Sequence, residues 1–178
     1  MLTNSILEND LIRLRALEPS DIDVLYSWEN NTENWLISST VVPFSRNVLE
    51  QYILNSHEDI FSAKQLRLII TDKVRNNQII GAIDLFDFDP IHKRAGIGIL
   101  IDPYERGKGF GFLALEQLKV YCFSILQLHQ LYANILSSNT NSISLFNKCN
   151  FEIIGSKKDW VYSPYGWCDE LMCQCIKK

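Results

Sequence analysis

The period of hydrophobic and polar positions changes several times along the chain, and each change marks an element. From Leu11 to Leu17, apolar Ile12, Leu14 and Ala16 alternate with Arg13 and Arg15, the two-residue period of a half-buried strand. Pro19-Ser20-Asp21 opens a helix, with Ser20 as the expected N-cap, Asp23 three residues on, and Ile22, Leu25 and Tyr26 on one face. A second helix is expected from Ser45, turning Val48, Leu49, Tyr52 and Ile53 inward. Strands follow from Leu66 to Thr71 and from Ile79 to Phe86, joined by the polar turn Asp72-Lys73-Val74-Arg75-Asn76-Asn77. The run from Gly96 to Ile101 is short, apolar and bounded by Pro103, so it reads as a buried strand. From Phe110 onward, Leu113, Leu118, Tyr121, Cys122 and Ile125 recur at helical spacing. A strand near Leu131 to Leu136, a helix near Asn141 to Cys149, and closing strands from Phe151 to Val161 and from Glu170 to Ile176 complete the order.

Between the fourth strand and its helix lies Arg106-Gly107-Lys108-Gly109-Phe110-Gly111. A helix start offers unpaired N–H groups and the positive end of the dipole, and glycine lets a ligand approach the main chain, so this turn suits an anion, most naturally a phosphate. It is not a Walker loop, which needs Gly-Lys-Ser/Thr after four intervening residues, and it lacks the spacing of a G-x-G-x-x-G dinucleotide fingerprint. The glycine cluster taken alone is equally compatible with a ligand-free turn.

A chain of 178 residues fits one domain, residues 1–178, with a single substantial core. No apolar run approaches the roughly 20 residues that span a bilayer, and the N-terminus lacks the pattern of a secretory signal, so a cytoplasmic protein without membrane partners is expected. The five cysteines, Cys122, Cys149, Cys168, Cys173 and Cys175, are odd in number and lack C-x-x-C spacing, which argues against a disulfide framework and a zinc site. No metal is expected. A net charge of −4 disfavours nonspecific nucleic-acid binding and mildly favours a cationic small molecule.

The R-x-x-G-x-G of Arg106, Gly109 and Gly111 at the end of the fourth strand, followed by Asn139-x-x-Ser142-Ile143-x-Leu145-Phe146-x-Lys148-x-x-Phe151, resembles the GNAT superfamily of acyl-CoA N-acyltransferases from about Leu11 to Ile176. GAIDLFDFDPIHKRAGIGILIDPYERGKGFG and FSILQLHQLYANILSSNTNSISLFNKCNF are similar to the branch that holds spermidine and ribosomal-protein N-terminal acetyltransferases. The resemblance implies an α/β (α+β) fold: a mixed, mostly antiparallel, twisted sheet of about seven strands flanked by about four helices, opened into a V where the cofactor strand parts from its parallel neighbour. It also implies a dimer.

By the same resemblance the anion is the pyrophosphate of acetyl-CoA, cradled by the main-chain N–H groups from Arg106 through Gly107, Lys108, Gly109 and Phe110 to Gly111, with the Arg106 and Lys108 side chains adding charge. Asn139, Ser142 and Phe146 would lie along the cofactor. A bulge in the cofactor strand would let Ile99, Leu100 and Ile101 pair with the pantetheine arm and aim an N–H of Leu100 or Ile101 at the thioester oxygen. The implied acceptor is a primary amine of a small molecule, an amino sugar or a peptide N-terminus.

An alkyl amine is almost wholly protonated at neutral pH and must lose a proton before it attacks a thioester. Asp84, on the strand beside the cofactor strand, is the leading candidate base, and His92 in the following loop is a weaker one. In the spermidine branch a tyrosine acid stands at the place of Phe146, which has no proton to give. That departure leaves open a coenzyme A-binding but catalytically degenerate protein. The branch's acidic residues are likewise replaced, by Gly96 and by Val41-Val42 before Pro43, whereas Trp35, Phe44, Trp160, Tyr162, Tyr165 and Trp167 suggest an aromatic-lined acceptor cleft.

Overall fold

The computed structural model describes residues 6–38 and 40–178. Seven strands form one sheet in the order β1-β2-β3-β4-β5-β7-β6. They are β1 (Ile12–Ala16), β2 (Leu66–Asp72), β3 (Gln78–Asp89), β4 (Arg94–Ile101), β5 (Gln130–Leu136), β6 (Glu152–Ser163) and β7 (Gly166–Ile176). Every neighbouring pair is antiparallel except β4 with β5, whose connection crosses over through a helix, as parallel pairing requires.

The helices are α1 (Ile22–Glu29), α2 (Thr32–Ser38), α3 (Arg46–Asn55), α4 (Ile60–Ala63), α5 (Phe110–Ser124) and α6 (Thr140–Lys148). The strand number matches the pattern, but two more helices occur among the described residues than the pattern predicts. Neither carries an apolar stripe that periodicity could detect: α2 buries no residue, and α4 is one turn, begun by Asp59 accepting from the N–H groups of Phe61 and Ser62 and ended by Lys64 at φ 57°. Ser45 does cap α3, accepting from the Val48 N–H at 3.3 Å. Ser20 does not cap α1. The 3-10 turn Pro19–Asp21 comes first, fixed by Asp21, which accepts from the Glu18 N–H and takes both Arg15 Nη atoms at 2.7 and 2.8 Å.

The two faces of the sheet bury separate sets of side chains. Ile83 and Leu85 of β3 join Ala114, Leu115 and Leu118 of α5 on one face, while the alternate Ala82 joins Leu25, Trp28, Leu49 and Ile53 of α1 and α3 on the other. Tyr26 and Val48, expected to face inward, are exposed because the buried stripes run through Leu25–Trp28 and Leu49–Ile53.

The feature that positions a site is a parting of strands. β4 and β5 pair only from Arg94↔Gln130 to Gly96↔Tyr132, whereas β4 stays paired with β3 out to Ile101↔Gly81. At the last β4–β5 rung the Phe86 ring fills the place a side chain on Gly96 would take: a Cβ there would lie 2.3 Å from Phe86 Cε2. The same ring meets Tyr132 edge-on at 6.0 Å. The bulge expected in the cofactor strand is instead on its neighbour. The register shift falls between Phe86 and Asp89 of β3, where Asp87 takes φ 48°, and β4 runs regularly from Gly96 to Ile101.

Candidate active site

After β4 the chain turns through Pro103–Glu105, with Asp102 accepting from the Tyr104 N–H at 3.0 Å, and enters the glycine loop before α5. Gly107 and Gly109 take φ of 77° and 85°, and a Cβ on either would meet nothing within 4 Å. The left-handed backbone selects glycine there, and the absence of side chains leaves an open cradle at the positive end of a 15-residue helix. Gly111 has a different role. Its Cβ would lie 3.2 Å from Leu145 Cδ2, so it permits the close approach of α5 and α6. Arg106 donates from Nε to the Ile101 carbonyl at 3.1 Å and, among the described residues, has no carboxylate partner, while Lys108 turns to Glu105 at 3.0 Å. Phe110 packs against the core. Bare N–H groups with one cation lacking a carboxylate partner fit a diphosphate.

Between the parted ends of β4 and β5 lies a cleft lined by Ile97, Gly98 and Ile99 of β4 and by Ala133 to Leu136 of β5. The Asp102 N–H donates to the Ile80 carbonyl at 3.0 Å, which sets the phase of the antiparallel ladder. Gly98 and Leu100 therefore turn their N–H and C=O groups toward Asp84 and Ala82 of β3, and Ile97, Ile99 and Ile101 turn theirs toward the open side. The Arg106 bond to the Ile101 carbonyl lies on that side. Of the three expected backbone contacts, Ile99 and Ile101 thus turn away from β3, and Ile99 lines the cleft. Leu100 does not: its groups belong to the β3 ladder.

Across the cleft, Asn139, Ser142 and Phe146 share one face of the start of α6, at the three- and four-residue spacing of a helix. Asn139 is the N-cap, its Oδ1 accepting from the Ser142 N–H at 3.1 Å. Phe146 is 3% exposed and packs edge-to-face on Phe151 at 5.0 Å. Ser142 carries the only hydroxyl among the described cleft-lining residues. Cys149, the C-cap of the same helix, is buried in the core, where desolvation pushes its thiol up to about 12.

On the α1 and α3 face, Asp84 takes Arg67 Nε and Nη2 at 2.7 and 2.9 Å, and Arg67 Nη1 also reaches Glu29. Burial works against the Arg67 charge, but the charge and hydrogen bonds of Asp84 outweigh it and the guanidinium is held more firmly protonated than usual. Asp84 sits beside the cleft: a Cβ on Gly98 would be 3.9 Å from its Oδ2. Glu170 lines the same cleft and accepts from Lys157 Nζ at 2.6 Å. His92, in the turn before β4, stands six residues from Gly98, about 20 Å along an extended strand, and is no base for this site. The expected aromatic cleft does not form. Val161 points in while its neighbours Trp160 and Tyr162 point out with Tyr165 and Trp167, Phe44 packs on the core, and none of the expected aromatics lines the cleft.

Residues 12–152 match the acetyltransferase (GNAT) domain family. The chain belongs to this family. It is 31% identical over 80% of its length to spermidine N(1)-acetyltransferase of Vibrio cholerae, covering 80% of that protein. It is 26% identical to acetyltransferase PseH of Campylobacter jejuni, covering 82% of this chain and 86% of that one. The crystal structure of the Vibrio cholerae spermidine N-acetyltransferase in complex with CoA and spermine superposes with a TM-score of 0.84 over 94% of this chain and 96% of that one; at 24% identity, that likeness speaks for the fold.

As a GNAT acetyltransferase the chain uses acetyl-CoA as acyl donor and an amine as acceptor. The catalytically degenerate reading finds no support in these relatives, which are named as acetyltransferases. The fold brings together Ile99, Asn139, Ser142 and Phe146, residues from two distant stretches of the chain, around one opening, with Ile101 further along the same strand edge. Sequence reasoning missed Arg67 and Glu170. Glu170 was detectable as a polar residue that shares a strand face with Gln174, opposite the apolar Leu171, Cys173 and Cys175 of β7, but nothing local marks Arg67 as the partner of Asp84.

Proposed function

We propose that this enzyme acetylates a small primary amine by direct attack on the thioester within the cleft where β4 and β5 part. The observation that carries this reading is that one short turn, Pro103–Glu105, joins the unpaired end of β4 to the glycine loop. The strand edge offers the N–H and C=O groups of Ile99 and the N–H of Ile101, and beyond the turn lies the cradle of Gly107 and Gly109. Acetyl-CoA supplies an activated acyl group. The loop and Arg106 hold its diphosphate, Ile99 and the Asn139 amide hold the arm, and the Ile101 N–H donates to the oxygen on which negative charge develops. Asp84 takes the proton from the acceptor ammonium: Arg67 occupies two of about four lone-pair positions on the carboxylate and fixes its orientation, leaving the others free.

On the acceptor side three carboxylates, Glu29, Asp84 and Glu170, meet two cations, Arg67 and Lys157, and the one negative charge left over suits a cation, in keeping with a relative named for spermidine. The enzyme works as a homo-oligomer, for which we expect a dimer; a structural neighbour from Vibrio cholerae is described as dodecameric. Thermal unfolding across acetyl-CoA concentrations, followed by thiol release with spermidine, an amino sugar and a peptide N-terminus as acceptors, tests the reading. A ligand that binds only the folded state raises the melting temperature as its concentration rises. No shift at saturating acetyl-CoA overturns the cofactor site, and a shift without thiol release from any amine overturns the transfer.

A further inference from the structure

One arginine from another part of the sheet grips the glycine loop on both flanks. Arg75 lies in the β2–β3 turn, where Asn76 and Asn77 take left-handed φ of 53° and 57°. Asp72 fixes the arginine locally: its Oδ1 accepts from the N–H groups of Val74 and Arg75 at 2.9 and 3.2 Å, and its Oδ2 from Arg75 Nε at 2.6 Å. The two remaining guanidinium nitrogens reach Glu105, Nη1 to Oε1 at 2.9 Å and Nη2 to Oε2 at 2.6 Å. Glu105 immediately precedes Arg106. The guanidinium also lies 5.8 Å from the ring centroid of Phe110, which immediately follows Gly109. Residues 106–109 are therefore strung between two contacts of a single side chain.

The clamp is partly shielded, with the Glu105 side chain 7% exposed. Glu105 Oε2 also accepts from Lys108 Nζ at 3.0 Å, inside the loop itself. Within this group two cations, Arg75 and Lys108, meet two carboxylates, Asp72 and Glu105, so the Lys108 charge is already matched, whereas Arg106 has no carboxylate partner among the described residues.

We propose that Arg75 and Glu105 are positioning residues for acetyl-CoA, holding the loop N–H groups in their anion-binding arrangement before the diphosphate arrives. Lys108 is a third tie of the clamp, and Arg106 is the side-chain cation offered to the ligand. The proposal rests on the cofactor site argued above. Its physical content is preorganisation: a loop with two left-handed glycines is costly to order, and a loop ordered in advance binds more tightly.

The test compares wild type with Arg75→Gln, Glu105→Gln and Arg75→Lys. Expected for the two glutamine variants is an acetyl-CoA KM raised on the order of tenfold, with kcat at saturation and the amine KM nearly unchanged. Amide hydrogen exchange of residues 106–110 in the cofactor-free protein speeds up, and the rates in β5 and β7 stay as in wild type. Arg75→Lys, which keeps the charge but loses the two-pronged contact, recovers only part of the affinity. Unchanged loop exchange together with an unchanged acetyl-CoA KM overturns the proposal. So does faster exchange spread evenly over the sheet, which would make Arg75 a general stability residue. Should the wild type itself fail to bind acetyl-CoA, the functional reading falls, and the exchange measurement still decides whether Arg75 orders the loop.

Discussion

Phe146 is the residue at which chemistry and packing can be separated. It lines the cleft on the same helical face as Asn139 and Ser142, yet it is 3% exposed and has no proton to give a departing thiolate. A coenzyme A thiolate is a good leaving group, so an acid helps without being essential. Phe146→Tyr is expected to raise kcat by up to about tenfold, below the range of a fully used general acid, with an acetyl-CoA KM within about twofold. Steady-state thiol release measures this, and an unchanged or lower kcat shows that the added hydroxyl does not reach the leaving group. Its burial without a partner would show as a loss of about 1–3 kcal/mol in urea unfolding. Phe146, Asn139, Ser142 and the left-handed glycines were legible because their arrangement is local, set by helix spacing and by a turn. The choice among Ile99, Leu100 and Ile101 was not, because the direction of each N–H follows the phase of pairing with β3, some twenty residues away in the chain. Arg75 and Arg67 were opaque for the same reason, their partners being 30 and 17 residues distant.

At the scale of elements, apolar–polar alternation together with short apolar runs bounded by turn residues placed all seven strands, because a sheet buried on one face imposes a two-residue period and one buried on both faces a continuous apolar run. Elements with no buried stripe, α2 and α4, left no such trace. The bulge was misplaced because its position depends on how β3 pairs with β4, a relation between two strands; the last regular rung before it sets Phe86 against Gly96. That fit carries its own prediction. Gly96→Ala would put a Cβ 2.3 Å from Phe86 Cε2, so one of them must move, at an expected cost of about 1–3 kcal/mol. In a Phe86→Leu background the same change should cost much less. A double-mutant cycle in urea reads the difference directly, and additive effects would mean that the ring is not what keeps position 96 bare.

For the whole molecule, the paired carboxylates predict how stability responds to acid. The hydrogen bonds from Arg75 and then Lys108 hold the Glu105 carboxyl down to about 2, from an ordinary 4.5. Burial pushes Asp21 up, but the bonds from Arg15 and from the Glu18 N–H more than offset it, and Asp72 is lowered chiefly by its bond to Arg75. A carboxyl whose folded pKa is depressed contributes its stabilisation in full above the unfolded value and loses it as pH falls through the folded value. The folded protein should therefore keep its melting temperature from neutrality down to about pH 5 and lose it steeply below, as these groups bind protons on unfolding. Glu105→Gln should remove one proton from the uptake between pH 4.5 and about 2, so its melting temperature falls less steeply with acid than that of wild type even if it starts lower. Melting curves at half-unit pH steps measure this. Parallel acid slopes in the two proteins would mean that Glu105 titrates alike in both states, and that the bonds to Arg75 and Lys108 leave its proton affinity untouched.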